Sequence, residues 1–275
     1  MPEIHEILQH EVVFHDAIAG NITISDELIH RFLSYDTPAS YMADQLPRLK
    51  HDVLKELTVV RGKRVLVYGC GNDSAAVWFS SSGASVDAID ISPKSVANQQ
   101  RISERLGLSI RAYVMDAHKL SFPDDEYDIV YGNAILHHID LYRAMPELAR
   151  VLKPEGKAIF RDVMIGNVFL RAFRYATPFW RTPDEHPLTR KDLELLGETF
   201  DMKINQYVLT GLPYMFVVRI INNVILKKFG VKSRIQLHPK IYRCFDNFDQ
   251  RLFRYAPFLR TQAWLCLIVL TKKVA

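Results

Sequence analysis

Residues 65–73 read VLVYGCGND, and this stretch decides the fold. A short apolar run typical of a buried strand leads into Gly69 and Gly71. Because glycine has no Cβ, it permits both a sharp turn and a close approach of the backbone to a ligand. Loops that hold a dinucleotide usually carry a third glycine soon after the second, but Asp73 and Ser74 stand there. The turn predicts a ligand loop, with an ordinary tight turn as the alternative.

An acidic residue follows the next apolar run. Asp90 ends SVDAID and lies 21 residues after Gly69, the spacing at which a carboxylate accepts the hydroxyls of a ribose. Its alternative role is in starting the next helix, although Ser92 and Pro93 are already typical of such a start. The turn and this acid together indicate an adenosine-containing ligand.

Apolar runs and helical patterns alternate from residue 63 onward. Strands are predicted at 64–68, 85–89, 110–114, 127–132, 156–161, 202–209 and 262–271. Helices are predicted at 5–18, 26–34, 39–57, near 74–82, 93–106 and 140–151, and from about 188. Such alternation predicts an α/β protein with a Rossmann-like, doubly wound, mostly parallel seven-stranded sheet covered on both faces.

The same pattern predicts three parts of the chain. Residues 1–60 form a helical N-terminal lid, residues 61–163 form the cofactor-binding core, and residues 164–275 complete the sheet. The last part carries helical insertions at 164–188 and 210–259, and insertions after strands of α/β sheets are typical places for substrate caps.

Composition excludes several classes of protein. The first residues, MPEIHEILQH, lack the apolar core of a signal peptide, and the apolar run at 212–226 is too short and too polar to span a bilayer. The three cysteines are scattered and predict neither a disulfide framework nor a metal site. His5 and His10 lack the HExxH spacing of a zinc protease. We expect a cytoplasmic protein without a metal.

Charge is distributed unevenly. Residues 1–163 carry 17 basic and 23 acidic side chains, whereas residues 164–260 carry 16 basic and 8 acidic ones. The ordinary interpretation is a solvated face, and the alternative is contact with an anionic group. Aromatic segments interleaved with basic residues favour either a hydrophobic substrate with an anionic end or contact with an anionic membrane face. The arginines concerned are Arg171, Arg174, Arg219, Arg243 and Arg254.

Five elements occur in order between residues 60 and 163: YGCGND, AID, MDA, YGNAILHHI and ELARVLKPEGKAIF. This set resembles the class I S-adenosylmethionine-dependent methyltransferases, in the small-molecule group related to ubiquinone and menaquinone methyltransferases. The resemblance implies S-adenosyl-L-methionine as cofactor, S-adenosyl-L-homocysteine as product, and a small molecule as acceptor. The aromatic and basic segments described above add the expectation that this acceptor is hydrophobic, with an anionic end as one alternative.

The resemblance also implies which residues hold the cofactor. They are Tyr68, Gly69, Cys70, Gly71, Asp73, Asp90, Ile91, Asp116, Ala117, Asn133 and Ala134. The glycine turn then wraps the methionine part, Asp90 binds the ribose, and Asp116 lies beside the adenine amino group.

Two positions depart from the family pattern. Tyr68 stands where relatives carry Asp or Glu, and a phenol is a weaker partner for the cofactor's ammonium group. Asp73 stands at the third glycine, where it either replaces the missing anion or caps the helix after it.

Catalytic candidates follow from the same resemblance. The protein chiefly aligns the methyl donor and acceptor, and a base is needed only when the acceptor holds its proton tightly. His137 is the first candidate, expected to face the cofactor or substrate while His138 packs inward. Asp162 and Tyr41 are further candidates, and each of the three has an alternative structural role in local pairing or packing.

Other functions remain open at this point. The same cofactor site fits an enzyme that couples methylation to cyclisation or isomerisation, a non-catalytic binding protein, or, ranked last, a nicotinamide oxidoreductase. We expect no nucleic-acid partner, because the aromatic residues of 169–180 have helical spacing. The oligomeric state is open, with a homodimer as one alternative.

Overall fold

The computed structural model describes residues 4–33, 46–71, 74–176, 185–211, 213–214, 217–218, 221 and 239–273. The α-helices in these ranges are α1 (Ile4–Gly20), α2 (Asp26–Leu33), α3 (Pro47–Glu56), α4 (Ala75–Ser81), α5 (Pro93–Leu106), α6 (Leu141–Val151), α7 (Val168–Ala176), α8 (Arg190–Thr199) and α9 (Pro239–Tyr255). The strands are β1 (Arg64–Tyr68), β2 (Ser85–Asp90), β3 (Ile110–Val114), β4 (Tyr127–Asn133), β5 (Leu152–Val163), β6 (Phe200–Tyr207) and β7 (Leu265–Lys272). Short 3-10 helices span Leu136–His138 and Pro257–Gln262.

The strands form one seven-stranded sheet in the order β3-β2-β1-β4-β5-β7-β6. The first five strands are parallel, and β7 runs antiparallel to both β5 and β6. The chain moves outward from β1 to β3 and then crosses to β4 on the other side of β1. This reversal creates a crevice at the carboxyl ends of β1 and β4, where open α/β sheets bind ligands. The predicted fold class is confirmed.

The sheet is buried on both faces. Along β1, Val65 and Val67 pack into one core cluster, whereas Leu66 and Tyr68 pack into the other. Because successive side chains of a strand point to opposite faces, a strand covered on both sides must be apolar throughout. This explains why β1 reads as an uninterrupted apolar run.

Helix α1 is fixed beside the start of α5. The carboxylate of Asp16 accepts hydrogen bonds from Ser92 Oγ at 2.5 Å and from the backbone N–H of Lys94 at 3.1 Å. Asn98 Nδ2 donates to the carbonyl of Ala19 at 3.1 Å. The C-terminal half of α1 is thereby held close to the carboxyl end of β2.

The first insertion leaves and returns at the end of β5. Met164 and Leu188 form an isolated parallel bridge, and the N–H of Leu188 donates to the Val163 carbonyl at 2.9 Å. Helix α8 then begins with a capping box in which Thr189 and Asp192 exchange hydrogen bonds.

Element boundaries differ from the predictions only at the ends. The third N-terminal helix was predicted from residue 39 but is described from Pro47, and residues 39–45 lie outside the described ranges. The last strand starts at Leu265 rather than at 262, because a 3-10 helix occupies the residues before it. Among the described helices, none combines the length and apolar character needed to cross a bilayer.

Candidate cofactor site and active site

The two glycines after β1 serve different purposes. Gly69 and Gly71 adopt φ angles of +72° and +44°, in the left-handed region that favours glycine. A Cβ on Gly69 would lie 2.7 Å from Ile135 Cδ1, so this glycine permits close packing of two loops. A Cβ on Gly71 would meet no atom within 4 Å, although Gly71 lines a cavity. The second glycine therefore leaves room for something other than protein.

This cavity lies at the carboxyl ends of the parallel strands and measures about 720 Å³, part of it open to solvent. Its floor comes from residues that follow β1 to β4, and its roof comes from α1. The floor includes Gly69, Gly71, Asp90, Ile91, Asp116, Ala117, Asn133, Ala134 and His138, and the roof includes Leu8, Glu11 and His15.

Asp90 is fixed by the loop that it faces. Its Oδ2 accepts a hydrogen bond from the N–H of Gly71 at 2.7 Å, and its Oδ1 accepts one from the N–H of Ser92 at 2.8 Å. Burial raises the pKa of Asp90 above its usual value, although these bonds act against the shift. A carboxylate has about four acceptor positions, so the two backbone bonds leave capacity for ribose hydroxyls.

Asp116 is held by a neighbouring imidazole. His118 Nδ1 lies 2.6 Å from Asp116 Oδ1, and His118 Nε2 accepts from the N–H of Asp140 at 2.9 Å. An imidazole that accepts at Nε2 carries its proton on Nδ1 and donates it to the carboxylate. Burial acts to raise the pKa of Asp116, but the hydrogen bonds from His118 lower it below its usual value. Asp116 therefore stays anionic at the cavity wall.

Two predicted cofactor contacts need correction. Tyr68 is fully buried below the cavity floor, where its hydroxyl donates to the Ala117 carbonyl at 2.8 Å, because β1 directs this side chain into the core. Cys70 is also buried in the core, and its side chain does not line the cavity. Both residues shape the loop from beneath. The predicted contacts of Asp73 and Tyr41 lie outside the described residues.

His137 and Asp162 form a buried pair. His137 Nδ1 lies 2.5 Å from Asp162 Oδ1, and Asp162 Oδ2 accepts from the N–H groups of Ile135 and Leu136 at 3.1 and 2.7 Å. Asp162 does not line the cavity and does not pair with Arg161. Burial acts to lower the pKa of His137, but the Asp162 carboxylate outweighs it and raises that pKa above 6.5.

The orientation predicted for the two adjacent histidines is wrong for this cavity. His138 lines the cavity, whereas His137 lies behind it with Asp162. The physical reason is that the imidazole of His137, the first histidine of the 3-10 helix Leu136–His138, pairs with the carboxylate of Asp162. Their ring centroids are 4.2 Å apart, so His137 remains in contact with the imidazole that reaches the cavity.

An N-terminal lid was predicted, but Glu11 and His15, which line the roof of the cavity, were not singled out from the sequence. Glu11 is buried, with Oε2 lying 3.2 Å from His15 Nε2 and 3.0 Å from His138 Nδ1, the latter without hydrogen-bond geometry. Burial acts to lower the pKa of His15, but its bond to Glu11 raises that pKa overall. The available signal was the spacing of Glu11 and His15, since residues four apart share one face of a helix.

These side chains also form two clusters of potential metal ligands. Ligand atoms of Glu11, His15 and His138 lie within 4.8 Å of one another, as do those of His137, His138 and Glu185. The contacts to Glu11 and Asp162 orient the imidazoles in both clusters. The contacts of these side chains with one another explain why their ligand atoms lie close together, so the short distances alone do not indicate a metal ion.

The cavity is anionic. Glu11, Asp90 and Asp116 contribute three carboxylates, and none of the described residues that line it is a lysine or an arginine. Carboxylates attract a cationic ligand and repel a pyrophosphate, the more so because the surroundings are partly buried. The three carboxylates therefore favour a positively charged nucleoside over a dinucleotide, although His15, His118 and His138 also line the cavity.

Comparison with known proteins agrees with this geometry. A profile described as "Methyltransferase domain" matches residues 66–160, roughly a third of the chain. Methyltransferase GfsG from Streptomyces halstedii is 30% identical over 128 residues, covering 45% of this chain and 46% of that protein. The 27-O-demethylrifamycin SV methyltransferase from Amycolatopsis mediterranei is 28% identical over 135 residues, covering 48% and 50%. The chain thus spans about half the length of these curated relatives.

Solved structures share the fold over most of the chain. Geranyl diphosphate C-methyltransferase from Streptomyces coelicolor, solved with Mg²⁺, geranyl diphosphate and S-adenosyl-L-homocysteine, gives a TM-score of 0.60 at 14% identity. That match covers 99% of this chain and 100% of the other. The cyclase SpnF gives 0.53 at 20% identity, covering 83% and 81%.

The sheet order and the cavity at its switch point define a class I methyltransferase fold. Within it, residues 66–160 match a methyltransferase domain, and structures that share the fold were solved with S-adenosyl-L-homocysteine or S-adenosyl-L-methionine. The residues present fit that group, because the gap above Gly71, the oriented Asp90 and the anionic wall suit an adenosyl sulfonium. The cofactor class predicted from the sequence is confirmed.

Proposed function

We propose that this protein is an S-adenosyl-L-methionine-dependent methyltransferase that acts on a small hydrophobic molecule. The anionic character of the cavity carries the proposal, since its three carboxylates face a ligand that bears a sulfonium and an ammonium. A nicotinamide dinucleotide would bring a pyrophosphate to the same wall, and such ligands normally meet helix N-termini or basic groups.

Different residues of the floor bind different parts of the cofactor. Asp90, at the end of β2, accepts the ribose hydroxyls, and Asp116, after β3, accepts the adenine amino group. Asn133 and Ala134, at the end of β4, lie beside the methionyl part. Because β1 lies between β2 and β4, the loop at Gly71 runs beneath the junction of the two halves.

Glu11 supplies the carboxylate that the position of Tyr68 lacks. Glu11 contacts His138 after β4, whereas Asp16, further along α1, binds Ser92 after β2. Helix α1 therefore crosses the cavity from the β4 side to the β2 side. This course supports our assignment of Glu11 to the methionyl half, where its carboxylate balances the charge of the ammonium group.

The protein supplies alignment and a dry site, because the bound cofactor brings a methyl group already activated by the sulfonium charge. His137 acts as the base for acceptors that must lose a proton. Its Nδ1 proton is held by Asp162, which leaves Nε2 with the free lone pair. Asp162 is a positioning residue that fixes this tautomer.

The acceptor approaches from the side of the first insertion. The returning segment lies against the catalytic turn, since the N–H of His186 donates to the His137 carbonyl at 3.0 Å. Arg174 already pairs with Glu185 at 2.7 Å, so it is not available to an anionic end of the acceptor. Ile135 and Ile139 present apolar surface on the same side of the cavity, which supports a hydrophobic acceptor.

Calorimetry on the full chain tests the cofactor assignment. We expect S-adenosyl-L-methionine and S-adenosyl-L-homocysteine to bind at micromolar strength and NAD to bind far more weakly. Tight NAD binding would overturn the proposal. Incubation with methyl-labelled cofactor and panels of phenols, prenyl compounds and lipids then tests transfer. Binding without transfer to any of them favours the cyclase-type or non-catalytic alternatives.

The compartment belongs to the same proposal. None of the three cysteines, Cys70, Cys244 and Cys266, is part of a disulfide. Cysteines kept out of disulfides fit a reducing compartment, and we accordingly place the protein in the cytoplasm.

A further inference from the structure

We propose that α7, α9 and the 3-10 helix Pro257–Gln262 together form a docking surface for an anionic lipid bilayer. The proposal rests on exposed side chains outside the cofactor cavity and does not depend on the methyltransferase assignment.

Helix α9 carries an exposed apolar stripe. Ile241, Phe248 and Tyr255 follow one another at seven-residue intervals, which places them on one face of the helix. Their exposed fractions are 45%, 55% and 84%. A soluble surface rarely displays large apolar side chains in such a row, and a row of this kind indicates an interaction site.

The basic and acidic residues of α9 lie on different sides of the helix, with the basic ones exposed and the acidic ones buried. The exposed basic residues are Lys240, Arg243, Arg251 and Arg254. Both acidic residues of the helix turn inward, where Asp246 accepts from Arg48 Nε at 2.9 Å. Asp249 accepts from the N–H groups of Leu209 and Thr210 at 2.8 and 3.0 Å. The outer face of the helix therefore carries basic and apolar side chains together with Cys244 and Asn247, and no acid.

Helix α7 and the 3-10 helix Pro257–Gln262 also expose large apolar and basic side chains. Asn167 Nδ2 donates to the Gln262 carbonyl at 2.8 Å and holds the start of α7 beside the 3-10 helix that follows α9. Tyr175 on α7 is 92% exposed and Phe258 on the 3-10 helix is 72% exposed. Arg171 and Arg260 are the exposed basic residues here, and the described residues of these two elements include no acid.

We call the exposed basic and large apolar residues of these three elements the basic aromatic face. They are Val168, Arg171, Tyr175, Lys240, Ile241, Arg243, Phe248, Arg251, Arg254, Tyr255, Phe258 and Arg260.

Charge complementarity selects the occupant. Aromatic and aliphatic side chains next to arginine and lysine are typical of helices that lie in the headgroup region of a membrane. Anionic lipids attract each basic residue, whereas a second copy of the same face would repel it. A bilayer with anionic headgroups satisfies both parts of the face at once.

Vesicle flotation of the full chain tests this inference. We expect binding to phosphatidylcholine vesicles that contain phosphatidylglycerol, and little binding to phosphatidylcholine alone. Binding should fall steeply as salt rises toward about 1 M, where the screening length is only about 3 Å. The double variant Arg251→Gln/Arg254→Gln should bind roughly fivefold more weakly for each arginine removed.

A matched pair of variants separates the apolar stripe from general exposure. Phe248→Ser/Tyr255→Ser should release the protein from anionic vesicles. Tyr142→Ser, which removes an equally exposed aromatic residue from α6, should bind like the unchanged chain. Circular dichroism confirms that each variant folds.

Several results would each overturn the inference. They are equal binding to both kinds of vesicle, equal binding of the stripe variant and the Tyr142 variant, and a dimer that the stripe variant dissociates. The last result would assign the face to a second copy of the chain. Retention of the chain by single-stranded nucleic acid without vesicle binding would also contradict it.

Discussion

The floor and the roof of the cofactor cavity have different origins. The floor consists of loops after β1 to β4, and all of it lies within the segment that matches the methyltransferase-domain profile. The roof is α1, whose Leu8, Glu11 and His15 lie outside that segment. The floor therefore belongs to the matched domain, whereas the charged side chains of the roof lie outside it.

The contrast indicates how binding energy is divided. In the proposed binding mode Asp90 and Asp116 on the floor hold the adenosyl half, so variants of these two residues should weaken all adenosyl ligands. Glu11 on the roof faces the amino-acid end in the same proposal, so its variants should discriminate between ligands that have and lack this end. The following experiments test that division from the largest expected effect to the smallest.

The largest effect is expected for Asp90→Asn on the floor. Losing the buried acceptor should cost about 1–3 kcal/mol of binding free energy for S-adenosyl-L-methionine and S-adenosyl-L-homocysteine alike. Asp128→Asn is the control, because Asp128 lies near the amino end of β4 and accepts from the N–H of Arg64 at 2.8 Å. Calorimetry that gives equal affinities for the two variants would refute the ribose assignment.

Gly71→Ala should reduce cofactor affinity roughly tenfold. The new Cβ would project into the cavity space that the cofactor needs. Gly107→Ala is the matched control, since Gly107 also has positive φ, +62°, and an open surrounding, but ends α5 outside the cavity. Both variants should lose about 1 kcal/mol of unfolding free energy from backbone strain. If both bind the cofactor equally well, the gap above Gly71 is not the cofactor site.

Glu11→Gln tests the roof. We expect affinity for S-adenosyl-L-methionine to fall about fivefold, while 5′-methylthioadenosine, which lacks the amino-acid end, binds as before. Asp16→Asn, which loosens the docking of α1 on α5, should instead affect both ligands alike. A Glu11 variant that behaves like the Asp16 variant would mean that Glu11 only fastens the helix.

The smallest effect is a displacement of the pH profile. His137 must be neutral to act as a base, so turnover with a protonated acceptor should rise as pH passes a pKa above 6.5. Asp162→Asn removes the cause of the raised pKa, and the rise should move to lower pH. His137→Gln should abolish this limb of the profile. An unchanged profile in both variants would remove His137 from the mechanism.

The same pair contributes to stability with a defined sign. Since the folded-state pKa of His137 is raised, the pair stabilises the protein fully below the unfolded value of about 6.5 and loses this contribution as pH rises through the folded value. Unfolding experiments over this range should show the loss in the unchanged chain and not in His137→Gln.

Much of the floor was predictable from the sequence. Strands that are buried on both faces can be recognised in the sequence as continuous apolar runs. Because these strands are parallel, the loops that follow them lie at the same edge of the sheet. Asp90 and Asp116 follow β2 and β3 directly, and both line the cavity as predicted. Whether each holds the part of the cofactor assigned to it remains a prediction.

The other features of the site could not be predicted, because they depend on contacts between residues that are far apart in the sequence. The direction of Tyr68 was ambiguous because β1 is buried on both faces, so polarity does not distinguish its two sides. The choice between His137 and His138 depended on Asp162, which lies 25 residues away in the chain. The docking of α1 over the crevice is likewise a long-range contact, and it brought Glu11 to a site that its own helix did not indicate.

A crystal structure of the chain with S-adenosyl-L-homocysteine is the strongest test of the proposed position and orientation of the cofactor. We expect density at the carboxyl ends of β1 to β4, with the ribose hydroxyls on Asp90, the adenine beside Asp116 and the amino-acid end beneath Glu11. Density for the ligand elsewhere, or the reverse orientation with adenine beneath Glu11, would contradict it.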